Sequence, residues 1–161
     1  MNQTDSFKLA RCGGQSASRR AAKGFTLIEL MMVMSVGGIL SSVAYPSFMD
    51  QLHKIRRSDA LVSMLQAQAA QERWRANHLD YGSAAEIGLA ANSAAGHYRL
   101  QVTAESETGY EILATAQGSQ ANDSTCHHLR LRVEGGNPIH SSGPTEAVAN
   151  GVLANRQCWS L

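Results

Sequence analysis

The pattern of apolar and polar positions changes character twice along this chain. From Phe25 to Met49 the residues are apolar or small, with one ionised side chain, Glu29, near the start. As a helix these 25 residues would span about 37 Å, more than the roughly 30 Å hydrocarbon core of a bilayer. Beyond Met49 the pattern becomes amphipathic. Leu52, Ile55, Val62, Leu65, Ala69 and Ala76 fall on one helical face, and Lys54, Arg57, Gln68, Gln71 and Arg75 fall opposite. The two stretches predict one helix from Phe25 to about Asn77, a rod of about 80 Å. Its first half would anchor, and its second half would carry a sheet on the apolar face. Gly37-Gly38 loosens this helix, and Pro46, which has no backbone N–H, should kink it.

Asn77 to Gly96 is rich in Ala, Asn, Ser and Gly and reads as a loop, with one helical turn around Ala84–Leu89. Gly82 is expected to end the helix at a positive φ angle. Three alternating runs then predict strands. In them Tyr98, Leu100 and Val102 alternate with Arg99, Gln101 and Thr103; Tyr110, Ile112 and Ala114 with Glu111, Leu113 and Thr115; and Leu129, Leu131 and Val133 with Arg130, Arg132 and Glu134. Glu105 to Gly109 supplies a polar hairpin loop between the first two. The fold class expected is α+β, a long helix on an antiparallel sheet of three to five strands, one face on the helix and one wet. Gly135-Gly136-Asn137-Pro138 ends the alternation, and the tail to Leu161 reads as turns.

At 161 residues the chain has room for one domain. Its net charge of +1 hides an asymmetry: Lys8, Arg11, Arg19, Arg20 and Lys23 oppose only Asp5 in the first 24 residues, a net of +4 that leaves −3 for the rest. A basic segment before an apolar run reads as targeting and favours a cytoplasmic N-terminus. The apolar run is too long for a secretory signal core, and Glu29 is misplaced for one.

Catalytic and metal chemistry find little support. There is no GxSxG, Gly-rich phosphate loop or CxxC, and none of the six histidines has i, i+4 helical spacing. His127 and His128, if both on a strand, point to opposite faces. No catalytic residue, metal site or cofactor is expected. Nucleic-acid contact is the stronger rival, because Arg130 and Arg132 share a strand face that Arg99 can join; the net charge of −3 after residue 24 argues against it. Trp159 reads as a packed tail anchor.

Lys23-Gly24-Phe25-Thr26-Leu27-Ile28-Glu29-Leu30 resembles the type IV prepilin signature. The resemblance implies cleavage by a prepilin peptidase between Gly24 and Phe25, methylation of the new amine on Phe25, and an assembly role for Glu29. It divides the chain into a removed leader (1–24), a transmembrane and assembly half-helix (25–49) and a periplasmic domain (50–161). Cys12 leaves with the leader, so Cys126 and Cys158 remain as a pair on the oxidising side. The Cys126-to-Leu131 stretch, Cys158-Trp159 and Gln71-Glu72-Arg73-Trp74 are similar to the PilE-like minor pilins, which implies a type IV pilin fold with a disulfide-closed C-terminal loop. The implied function is that of a structural minor subunit of a type IV pilus, not an enzyme, inserted in the inner membrane before assembly and on the cell surface after it. The implied partners are other pilin subunits, the peptidase/methylase and the inner-membrane assembly machinery, with weak DNA contact as an addition. Alternatives are a major pilin, a type II secretion pseudopilin, or a DNA- or surface-binding tip adhesin.

Overall fold

A computed structural model of the chain describes residues 24–103 and 106–160. The expected leader up to Lys23, with Cys12, lies outside the described residues. The first element is one helix, α1 (Leu27–Arg75), which continues through Gly37-Gly38 and Pro46. A loop follows, containing the turn at 84–88, and then β1 (Tyr98–Thr103) and β2 (Gly109–Ala116). A 3-10 turn (Gly118–Asn122) precedes β3 (His128–Glu134), β4 (Asn137–Gly143) and a short helix, α2 (Val152–Trp159). By its contacts the chain divides between Ile39 and Leu40 into two units.

In the second unit the four strands form one antiparallel sheet in sequence order, so each strand lies beside its neighbour in the chain. The register pairs Leu100 with Ala114, Ala114 with Leu129 and Leu129 with Ser142, which sets one row of side chains toward the core. Tyr98, Tyr110, Ile112, Leu129, Leu131 and Val133 are buried there, together with Ala60, Met64 and Ala67 of α1. Period-2 alternation delivers this apolar face, and the three strands expected from it are all present.

The helix face that meets the core is not the one expected. Ile55, Val62 and Leu65 are 66%, 52% and 61% exposed, whereas Arg57 and Gln71 from the supposed solvent face are buried. The physical reason is that the polar side chains have partners there. Arg57 donates from Nε and Nη2 to the two carboxylate oxygens of Asp123 at 2.6 and 2.9 Å. Gln120, fully buried, contacts His53 Nδ1 at 3.2 Å through Oε1, and its Nε2 donates toward the His53 carbonyl, Tyr98 Oη and Asp123 Oδ2. Burial pushes the Tyr98 hydroxyl up to about 12, which keeps it a neutral partner in this network. Gln71 closes a two-way bridge with Gly82, accepting from its N–H at 2.9 Å and donating to its carbonyl at 2.6 Å.

That bridge also corrects the expectation for Gly82, which is absent from the positive-φ residues. It is glycine because of close approach: a Cβ there would come within 2.9 Å of Ile87 Cγ2 and 3.2 Å of the Trp74 indole.

The segment read as turns holds a fourth strand. Gly135 and Gly136 have φ of 53° and 81°, the left-handed pair that a two-residue hairpin needs. They do not break the sheet but fold Asn137–Gly143 back along β3, pairing Val133 with Pro138 and Leu131 with His140. Pro138 is tolerated because β4 is an edge strand. The other edge is met by the loop before β1, where Ser93 N–H donates to Tyr98 O and Leu100 N–H to Ala91 O, both at 2.8 Å. Along β4, Asn150 N–H donates to Ser142 O and Asn155 Nδ2 to His140 O. Cys126 and Cys158 form the expected disulfide, tying α2 to the segment before β3. Trp159 is 7% exposed, donates from Nε1 to Ser141 O at 3.1 Å and meets His140 edge-on.

Candidate assembly segment and nucleic-acid interface

In the first unit, Gly24 to Thr26 precede the helix and every residue from Gly24 to Ile39 is exposed. Phe25 is 85% and Leu27 79% exposed, so the apolar run has no cover among the described residues. The helix is long and apolar enough to cross a membrane. Its entry has a feature the sequence pattern carries but the amphipathic reading passes over. Thr26 Oγ1 accepts from Glu29 N–H at 3.3 Å, and Glu29 Oε2 accepts from Thr26 N–H at 3.5 Å. Thr-x-x-Glu is a reciprocal capping box, which satisfies two donors that the helix start leaves free. The carboxylate also sits at the positive end of the helix dipole. Glu29 is thus bonded to its own chain next to the expected cleavage point.

In the second unit the register sets Arg99, Arg130 and Arg132 on the outer face of the sheet, as expected, with Arg99 two strands from β3, about 10 Å away. Two of the three are matched by acids. Arg130 Nε lies 3.1 Å from Glu111 Oε1 without an aligned hydrogen bond, and its Nη2 donates to Glu146 O at 2.6 Å. Arg132 pairs with Glu134 on the same strand. Arg99 is exposed, with no carboxylate in ion-pairing range among the described residues. His128 shares this face, and burial, reinforced by His127 and Arg130, holds it below the ordinary histidine value, so it adds no charge at neutral pH. The face is nearly balanced in charge.

His127 does not point away from His128, as a shared strand would require. It lies before β3, and the two rings stack with centroids 4.6 Å apart. No group of three or more His, Cys, Asp or Glu is placed to hold a metal among the described residues.

A polar cleft of about 380 Å³ that sequence reasoning missed is lined by Gln51 and Lys54 of α1, by Asn122, Ser124 and Thr125, and by Gln157 of α2. Lys54 is exposed and has no acidic partner among the described residues. The expected Cys126–Cys158 bridge brings the tail to the segment before β3, but the helix α2 that lines the cleft lies in a stretch read as turns. Arg56, beside this region, donates to Ser119 Oγ at 2.8 Å.

Comparison with known proteins accounts for both halves of this arrangement. Residues 19–45 match the prokaryotic N-terminal methylation motif. Residues 46–130, just over half of the chain, match the family described as type IV minor pilin ComP, DNA uptake sequence receptor. The chain is 34% identical over 105 residues to the type IV major pilin protein PilE of Neisseria gonorrhoeae, covering 62% of this chain and 59% of that one. It is 36% identical over 72 residues to a fimbrial protein of Neisseria meningitidis serogroup B, covering 44% and 42%. Fimbrial protein Q of Moraxella bovis is 35% identical over 72 residues, covering 45% and 43%. The chain thus spans roughly half the length of these relatives, and the long helix, four-stranded antiparallel sheet and Cys126–Cys158 bridge agree with a type IV pilin fold. It belongs to the family of the type IV minor pilin ComP.

Proposed function

We propose that the chain is the precursor of a minor type IV pilus subunit. In this reading residues 1–24 are a leader, 25–49 the transmembrane and assembly half of the helix, and 50–161 a periplasmic domain. The precursor sits in the inner membrane with its N-terminus in the cytoplasm, is cut by a prepilin peptidase between Gly24 and Phe25, is methylated on Phe25, and enters the filament through α1. The observation that carries this reading is the exposed apolar start of α1, which lies within the methylation-motif match and runs directly into the minor-pilin match. Such a surface requires lipid before assembly and neighbouring helices after it. Cleavage creates an amine at Phe25, within a turn of Glu29. On assembly the Glu29 carboxylate exchanges its own capping bond for the N-terminal amine of a neighbouring subunit, a charged pair strengthened by low dielectric.

Glu29→Gln preserves the basic-Gly-Phe junction, so it is expected to insert and be cut normally. It should be reduced in sheared filaments relative to the processed membrane pool. Equal incorporation at equal membrane levels would refute the exchange. N-terminal sequencing of the mature chain should begin at Phe25, and Gly24 replaced by a bulky residue should leave the precursor uncut.

A second role, DNA contact, is favoured by the family description of a DNA uptake sequence receptor. Lys54 of the polar cleft and Arg99 of the outer sheet face, both exposed and without an acidic partner among the described residues, are its candidates. Two such phosphate contacts predict a shallow salt dependence, with log–log slope of about −2. Lys54→Gln with Arg99→Gln should flatten that slope and weaken duplex binding; unchanged binding would sink this role. Deletion of the gene separates the readings: loss of pili marks a filament subunit, and pili that no longer take up DNA mark a tip receptor.

A further inference from the structure

A groove of about 410 Å³ runs between α1 and the loop at 87–94, walled by Ala67 and Ala70 and floored by Leu100. Its polar groups include Gln66, Arg73 and Asn92. It adjoins a second cleft of about 250 Å³, which shares Ala70, Arg73 and Ile87 and is bounded by Trp74, His78 and Glu86. Neither belongs to the assembly segment or to the outer sheet face.

Three features meet here: an arginine without an acidic partner, a stacked ring pair and a carboxylate with one oxygen left over. Arg73 lies where the two spaces meet, exposed, with no carboxylate in ion-pairing range among the described residues. Trp74 stacks on His78 with ring centroids 3.7 Å apart and planes 3° from parallel. Gly82 packs close to the indole as well, and the exposed His78 ring forms the outer member of the stack. Glu86 receives both the N–H and the hydroxyl of Ser83 on Oε2, at 2.7 Å each. Those bonds hold its carboxyl below the ordinary value, so it stays ionised, with Oε1 turned to no donor among the described residues.

A cation beside two amides, then a flat ring and a free carboxylate oxygen, complements a particular chemistry. It fits a sugar chain bearing a carboxylate: the carboxylate for Arg73, hydroxyls that accept from Gln66 and Asn92 and donate to Glu86, and an apolar ring face for His78. A polyphosphate, charged at every unit, would meet one cation and then the repulsion of Glu86, where a chain alternating acidic and neutral sugars can place an uncharged ring. An extended peptide has no ladder to join, because Ala91 O and Ser93 N–H are already bonded to β1. We propose that this groove is a binding site for a uronate-type acidic oligosaccharide, with Arg73 selecting the carboxylate and His78 stacking on a sugar ring. The proposal stands independently of the DNA role.

The test uses the detergent-solubilised full chain and a tetrasaccharide of alternating glucuronate and N-acetylglucosamine, titrated by calorimetry. The same tetrasaccharide with its carboxylates reduced to alcohols is the control. Saturable one-site binding is expected, weakened about tenfold for the reduced form, the scale of one charge-assisted contact. Arg73→Gln should abolish that preference without moving the melting midpoint, since Arg73 is exposed. His78→Ala should weaken both forms alike by about threefold, at the low end of the stacking range. No saturable binding, a preference retained in Arg73→Gln, or displacement of the tetrasaccharide by a lower concentration of oligothymidylate would each overturn the proposal.

Discussion

The buried pair between Arg57 and Asp123 offers the sharpest test of how this fold is held. The side chains are 10% and 4% exposed, and the contact is bidentate. Asp123 also accepts from Gln120 Nε2 at 3.1 Å and from Cys126 N–H at 3.3 Å. Asp123→Leu removes all four acceptor contacts and leaves a mostly buried guanidinium at the wall of the polar cleft without its partner. Breaking one side of such a pair costs about 3–5 kcal/mol, because the remaining charge is mostly buried and has lost its match. Arg57→Met leaves Asp123 two neutral donors and should fall at the lower end of that range. The double variant removes both charges together and should be within about 2 kcal/mol of the parent. The cycle therefore predicts a coupling energy of about 3 kcal/mol or more. Urea unfolding of the oxidised protein in mild detergent, followed by tryptophan fluorescence, reads it as a midpoint shift of about 1–4 M for Asp123→Leu. A single-variant loss below about 1 kcal/mol, or a double variant as unstable as the summed singles, would show that the pair is not what fixes α1 against this end of the sheet.

Cys158→Ser opens a bridge of sequence separation 32, for which chain entropy predicts a loss of about 3.5–4 kcal/mol; hydrogen exchange should accelerate first in α2 and β4. Asp59 accepts from Ser93 Oγ at 2.5 Å, Ala95 N–H at 3.0 Å and His97 N–H at 3.4 Å. Burial pushes its carboxyl up, but these bonds outweigh burial and hold it below the ordinary value of 3.8. A depressed folded pKa contributes stability in full above the unfolded value and loses it as pH falls through the folded one. Exchange at Ala95 and His97 should therefore rise below about pH 4 in the parent, and Asp59→Asn should lack that acid step.

The strands were legible because alternation of period 2 is a local signal: Leu129, Leu131 and Val133 announce their face without reference to anything distant. β4 was not, since Asn-Pro-Ile-His-Ser-Ser-Gly has no alternation and becomes a strand only because Gly135-Gly136 can take the hairpin turn. The helix was legible in extent but not in orientation. Arg57 and Gln71 look solvent-facing until Asp123 and Gly82 are known to meet them, from 66 and 11 residues away. Conversely, Ile55, Val62 and Leu65 gave a true amphipathic pattern whose apolar side is not spent on this chain's core. At the candidate sites the Thr26–Glu29 box was readable in four residues. The polar cleft and the Arg73 groove were not, because each joins segments that only the folded sheet brings together.

The covering of both sheet edges has a consequence for how this protein can polymerise. Residues 91–93 meet the outer side of β1, and Asn150 and Asn155 meet that of β4. A chain that packs side by side through helices, as proposed, holds its sheets at high local concentration, where a bare strand edge would template growth along the sheet. With those edges engaged, helix-driven assembly is left as the open route and the sheet remains a passive cargo. The Cys126–Cys158 bridge then acts as a lock on misassembly as well as on stability, since it fastens the segment that shields β4. Reduced subunits should stray into strand-paired aggregates before they unfold.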